Sequence, residues 1–185
     1  MIYISFKLKN FKGIDEVGVD LANSRIVTLV GLNESGKTSI MEGMHLFYQM
    51  IKGENPTTEQ LNELRPKGIA FTGIVEISAT LLLEDYDKEK IEKYWKSTLN
   101  KRNALELPAE FTYNYRFIFD LHTYKETKNT CTFPVKTKNS KRGLAETDYT
   151  NWNNLISHVR SDVVPEILYY DDFIFQIPEK VCFAK

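Results

Sequence analysis

Residues 25–38 read RIVTLVGLNESGKT. The first six form a largely β-branched run without alternation, which predicts a strand, 25–30, buried on both faces. Gly31 and Gly36 then bracket four residues, and Lys37 and Thr38 follow. Beyond Gly36 the period changes. Ile40, Met41, Met44, Phe47, Tyr48 and Ile51 recur at spacings of three and four, the stripe of a helix with one buried face. Gly53, Asn55 and Pro56 predict its end. A strand, a glycine-bracketed loop and a helix therefore succeed one another within a short stretch of chain.

That succession suits a phosphate group. Glycine lets the backbone come close and take positive φ, so that successive N–H groups point inward as an anion nest. A helix starting there adds free N–H groups and the positive end of its dipole. Lys37 supplies a mobile charge for the β- and γ-phosphates, and the Thr38 hydroxyl is the candidate Mg²⁺ ligand. Glu34 and Ser35 are expected to contribute backbone amides only. Ser39 continues the cofactor-binding end of the helix as a plain helix residue, because Thr38 already has the metal-binding place. Two readings of Asn33 stand side by side: a phosphate contact, or a residue that shapes the loop. At average residue frequencies the four fixed positions of this Walker A pattern would match by chance in roughly one chain of this length in two hundred. The bland alternative is a glycine turn carrying a surface lysine.

The rest of the chain is rich in alternation. The opening MIYISFKLKN predicts a half-buried strand with Ile2, Ile4, Phe6 and Leu8 on one face, broken by Gly13 and followed by a short strand at Val17 to Leu21. Residues 71–83 alternate from Phe71 to Leu83, and residues 111–121 from Phe111 to Leu121. Both read as half-buried antiparallel strands. Short helices are expected at Thr58 to Leu64, Asp87 to Leu99 and Thr150 to Val159. Residues 136–147, KTKNSKRGLAET, read as a polar, basic loop, and Ile167 to Tyr170 as a short strand.

Composition sets the frame. A hydrophobic content of 42% and an aromatic content of 12% over 185 residues suit one packed domain or one lobe of a larger one. The net charge of −1 gives no general pull toward nucleic acid or anionic membrane. No apolar run has the length of a membrane span, and the N-terminus does not read as a signal peptide. Cys131 and Cys182 lie far apart without a CxxC companion, as expected of reduced, half-buried thiols in a cytosolic protein, and no Cys/His cluster supports zinc.

The opening FKLKNFKGI, followed by RIVTLVGLNESGKTSIMEGM, resembles the N-terminal lobe of SMC/RecF-type ATPases and their OLD-type relatives, an ABC-like branch of the P-loop NTPases. Asn10, Phe11 and Lys12 match the family's Asn-Phe-basic turn; Gly31, Asn33, Gly36, Lys37 and Thr38 match its GxNxxGK[ST] loop. The resemblance is strong over residues 1–51 and thereafter rests on strand order and the ending PEILYYDDFIFQIP. It implies an α/β P-loop fold with an accessory antiparallel sheet, with residues 1–185 as the first lobe of an ATPase head, ending where a helical or coiled-coil insertion would begin. It implies ATP and Mg²⁺ as cofactors, a second head or C-terminal lobe as partner, and a link to DNA maintenance or phage defence. It nominates Lys12 as a second phosphate contact, against a solvated turn lysine, and Gln176 as a candidate metal ligand.

Hydrolysis also needs an acidic residue to hold Mg²⁺ and a group to orient water. The stretch Ile167 to Asp172 has the pattern of the family's acidic strand, but by position it better matches the strand leading into the insertion. Asp171 and Asp172 then end a strand in solvent. No LSGGQ-like signature occurs, so the chain by itself is expected to hydrolyse ATP hardly at all. His45 reads as a packed or exposed helix residue, and His122 and His158 have no evident acid–base partner. The aromatic strand 111–121 reads as core rather than a base-stacking platform, and Lys136, Lys138, Lys141 and Arg142 as a solvated loop rather than a DNA contact. Two other classes remain open: a small-molecule P-loop kinase, and a nucleotide-binding or DNA-contacting scaffold without turnover.

Overall fold

The computed structural model describes residues 1–23, 26–32, 35–67 and 70–169. Two antiparallel assemblies carry the strands. β1 (Ile2–Phe11), β2 (Ile14–Asp20), β3 (Gly73–Leu82), β5 (Glu110–Asp120) and β6 (Thr123–Thr132) form a five-stranded sheet in the order β2-β1-β3-β5-β6, and β4 (Leu105–Glu106) pairs with β7 (Lys136–Thr137). The helices are α1 (Lys37–Ile51), α2 (Thr58–Asn62), α3 (Asp85–Ser97), α4 (Leu144–Thr147) and α5 (Tyr149–His158), which runs into a π-helical turn, Val159–Val163. Among the described residues no helix is long and apolar enough to cross a membrane.

The period-two readings of 71–83 and 111–121 hold because each strand has one face under helices. Val75, Ile77, Ala79 and Leu81 are buried on β3, as are Phe111, Tyr113, Tyr115, Phe117 and Phe119 on β5. Register aligns Phe6 with Ala79 and Ala79 with Tyr113; the next row is Leu8, Ile77 and Tyr115. Phe47 of α1 drops onto these rows, meeting Phe6 at 5.5 Å and Tyr115 at 5.7 Å between ring centroids, both edge-on. Edge-to-face rings at such spacing add to the gain from burial. The aromatic strand is thus core, as its one-sided pattern implied.

Several expectations are corrected. Residues 26–30 form no strand, and Ile26 and Val30 are 81% and 89% exposed. A run apolar on both faces needs neighbours on both sides, and no described strand pairs with it. Residue 25 lies outside the described residues. In β1 the phase is displaced by a register shift between Tyr3 and Ser5. Tyr3, assigned to the outer face, packs against Phe6 and Phe47, while Ile2 turns outward. Met41 of the α1 stripe is exposed, and Gly43, Leu46, Phe47 and Ile51 are the buried residues of that helix.

The strand β6 had no pattern to announce it. It is an edge strand of threonines and charged residues, and it turns back from β5 through Leu121 and His122, both at positive φ (44° and 69°). Asn-Gly or Asp-Gly is the usual composition of such a turn. Leu121 is accordingly exposed rather than on the core face. The basic segment 136–147 is not all loop, since it contains β7 and α4. Residues 167–169 form no strand, and residue 170 lies outside the described residues.

The ends of α1 are well defined. At its C-terminus Gly53 takes φ 87°, with Gly53 N–H on the Met50 carbonyl and Glu54 N–H on the Gln49 carbonyl. This is the Schellman closure that the glycine predicted. Arg160 donates from Nε to Ile51 O and from Nη2 to Met50 O, while Lys52 Nζ donates to the carbonyls of Arg160, Ser161 and Val164. The end of α1 and the π-helical turn therefore cap each other with cations.

Candidate functional site

The N-terminus of α1 differs from those of α2, α3 and α5. Gly36 is its N-cap at φ 88° and ψ 5°, in the left-handed region that glycine alone adopts freely. Among the described residues no side chain caps it, and no acidic residue stands in its first turn. By contrast Thr57 caps α2, Asp148 caps α5, and Glu84 with Asp87 forms a capping box on α3. Among the described residues the first-turn amides of α1 have no side chain as acceptor, and the helix dipole points its positive end at the same place.

Lys37 lies across the loop. Its ammonium donates to Gly31 O at 2.8 Å, Leu32 O at 2.5 Å and Ser35 Oγ at 3.2 Å. The Ser35 N–H also meets the Leu32 carbonyl, at 3.2 Å. The lysine is therefore not the freely exposed side chain expected of a surface loop but half-buried, its donors spent on neutral carbonyl and hydroxyl oxygens. Anionic oxygens are stronger acceptors than these. Asn33 and Glu34 lie outside the described residues, as do Asp171, Asp172 and Gln176.

Lys12 reaches the same place from the turn between β1 and β2. Asn10 and Lys12 both have positive φ, 54° and 52°. The turn is pinned by Asn10 Nδ2 on the Ile74 carbonyl at 2.9 Å and by the Lys12 N–H on the Leu64 carbonyl at 2.7 Å. Asn10 is thus a fastening of the turn. Lys12 Nζ stands 2.5 Å from Glu42 Oε2, so it is neither a solvated lysine nor a free cation.

These groups share one cleft of about 770 Å³, lined by Lys12, Gly13, Gly36, Lys37, Thr38, Ser39, Glu42 and Lys67. Thr38 is exposed on it. Two of these residues escaped the reading of the sequence. Glu42 follows Thr38 by four residues and so shares its helix face, a signal that was available. Lys67 is brought in by the Lys12–Leu64 backbone bond, which no local pattern announces. Among the described residues no group of three or more His, Cys, Asp or Glu side chains could hold a metal ion.

The histidines take no part. His45 is half-buried, its ring stacked on Tyr169 at 5.2 Å. His158 does have a partner, contrary to expectation: Nδ1 is 3.0 Å from Asp162 Oδ2, one helical turn on, with its ring stacked on Tyr94 at 4.0 Å. A hydrogen bond from Ser161, reinforced by His158, holds the Asp162 carboxyl below the usual range. Ser161 Oγ turns to Asp162 rather than to the imidazole, so no relay to a nucleophile is assembled.

The sequence profile described as "AAA ATPase domain" matches residues 1–176. The chain belongs to the AAA ATPase domain family. It is an ATP-binding ATPase domain with a P-loop NTPase fold, and the unusual N-terminus of α1 lies within the matched region. Among curated proteins no sequence matches the chain. One similar solved structure comes from the structural biochemistry of ATP-driven dimerization and DNA stimulated activation of SMC ATPases. It is 15% identical, covers 89% of this chain and 86% of its own, and superposes with a TM-score of 0.47.

Proposed function

We propose that residues 31–39 cradle the phosphates of ATP, and that residues 1–185 are the first lobe of a head whose site a second lobe or second head completes. The observation that carries this is the N-terminus of α1, where an uncapped helix start, a left-handed glycine and Lys37 coincide. On binding, Lys37 exchanges the Gly31 and Leu32 carbonyls for phosphate oxygens. Lys12 and Lys67 add positive charge to the same cleft. Mg²⁺ fits the donor set in part: Thr38 offers one hard oxygen, and such an ion takes phosphate oxygens and water for the rest.

The exposed segment 26–32, apolar and β-branched beside the cradle, supports a partner that covers it. Hydrolysis in this reading waits on that partner, because a transition state held on one side lacks much of its electrostatic stabilisation. The resemblance of the opening to SMC/RecF-type heads supports coupling of ATP hydrolysis to DNA maintenance, and the OLD-type branch supports phage defence. Isothermal titration of the chain with ATP and Mg²⁺ tests the cradle. Lys37→Ala is expected to abolish binding, and unchanged affinity in that variant overturns the assignment.

A further inference from the structure

Lys12 and Glu42 meet inside the cleft, each partly shielded, with side-chain exposures of 25% and 35%. Neither is free to wander. Lys12 stands on a turn fixed by its own backbone bond to Leu64, and Glu42 on the second turn of α1. The cleft thus holds three ammonium groups and one carboxylate. Lys37 is covered by loop oxygens, and Lys67 makes no ion pair among the described residues. Lys12 spends its charge on Glu42.

A polyphosphate entering this cleft meets two opposed effects at one wall. The ammonium of Lys12 attracts it, and the carboxylate of Glu42 repels it. Lys12 keeps two further N–H donors, but the charge it shares in its short contact with Glu42 is not fully available to a second anion. A partly exposed ion pair is weak enough for a multiply charged ligand to break.

We propose that Glu42 is a positioning residue that holds Lys12 off the phosphates until a polyphosphate competes for it, so that this pair sets the affinity of the cleft for nucleotide. The proposal rests on the nucleotide reading of the cleft. Binding transfers Lys12 from Glu42 to a phosphate oxygen and leaves Glu42 facing solvent. Removing the carboxylate alone removes both the competitor and the repulsion. Removing Lys12 costs less while Glu42 is present, because its phosphate contact is then offset by the pair that must open.

Titration of the chain with Mg²⁺-ATP and with inorganic tripolyphosphate tests this in a double-mutant cycle. Glu42→Gln is expected to bind both ligands about two- to fivefold more tightly. Glu42→Asp, one methylene shorter, is expected to fall between. Lys12→Ala is expected to weaken binding by a larger factor in the Glu42→Gln background than in the parent. Equal or weaker binding by Glu42→Gln overturns the proposal. So does coupling that appears in urea midpoints and not in affinity, the mark of a purely structural pair. Lys37→Ala separates the two readings: if it binds tripolyphosphate like the parent, the cradle itself is wrong whatever the pair does.

Discussion

Gly43 of α1 and Leu8 of β1 compete for the same space: a Cβ on Gly43 would overlap Leu8 Cδ2, with Leu8 Cγ at 3.3 Å and Phe11 Cε1 at 3.6 Å. The missing side chain sets how closely α1 lies on the sheet. It thereby sets where the N-terminus of the helix, less than two turns away, meets the turn that carries Lys12.

Gly43→Ala is therefore expected to destabilise. In an open helix the change would stabilise by about 1 kcal/mol. Here Leu8 is fully buried on a strand paired on both sides and cannot yield. Overpacking costs about 1–3 kcal/mol and wins. Urea unfolding should show a net loss, and titration a weaker affinity for ATP; a gain in stability would mean that α1 stands off the sheet.

Thr38→Ala should reduce the dependence of binding on Mg²⁺ more than binding itself. Thr38 is an exposed hydroxyl of the cleft, and its loss would leave Lys37 and the helix amides to hold the phosphates. Titrations with and without Mg²⁺ check this, and an equal loss in both assigns Thr38 another role.

Arg160→Ala should cost about 2 kcal/mol, since two charge-assisted bonds to the last carbonyls of α1 are lost. The π-helical turn would keep its own cation, Lys52. Urea midpoints measure the loss. Hydrogen exchange should place the added opening at the end of α1 and not at the Lys37 end.

Burial pushes the Cys131 thiol up to about 12 from 9.0, against a weaker downward pull from Arg160. The protonated thiol is thus favoured in the folded state, so its contribution is fully present below pH 9 and is lost as pH rises toward 12. Burial raises Tyr3 and Tyr115 as well, which steepens the alkaline loss. Unfolding free energies between pH 8 and 11 should fall, less steeply in Cys131→Ala. At pH 8 the native thiol should react with disulfide reagents far more slowly than in urea, and an equal rate would place it in solvent.

The legible parts of this protein are those written in local pattern. GLNESGKT carries the proposed cradle because a phosphate loop needs glycine and lysine at fixed spacing along the chain. The one-sided apolar alternation of 71–83 and 111–121 carries the antiparallel sheet because side chains alternate across a strand. Other features depend on contacts between distant segments. Nothing in residues 26–30 says whether a neighbour will cover them, and β-branched character alone predicted burial that the described fold does not supply. The hairpin through Leu121 and His122 lacks turn chemistry, and β6 is a polar edge, so strand pairing defined it. Lys12 could be nominated from its motif, but its partner is Glu42, thirty residues on along the chain. That pairing, and the arrival of Lys67, exist only because α1 lies against the sheet at Gly43 and the Leu64 carbonyl holds the Lys12 turn. Charge balance in the cleft is thus a property of packing, which brings together groups that the one-dimensional order keeps apart.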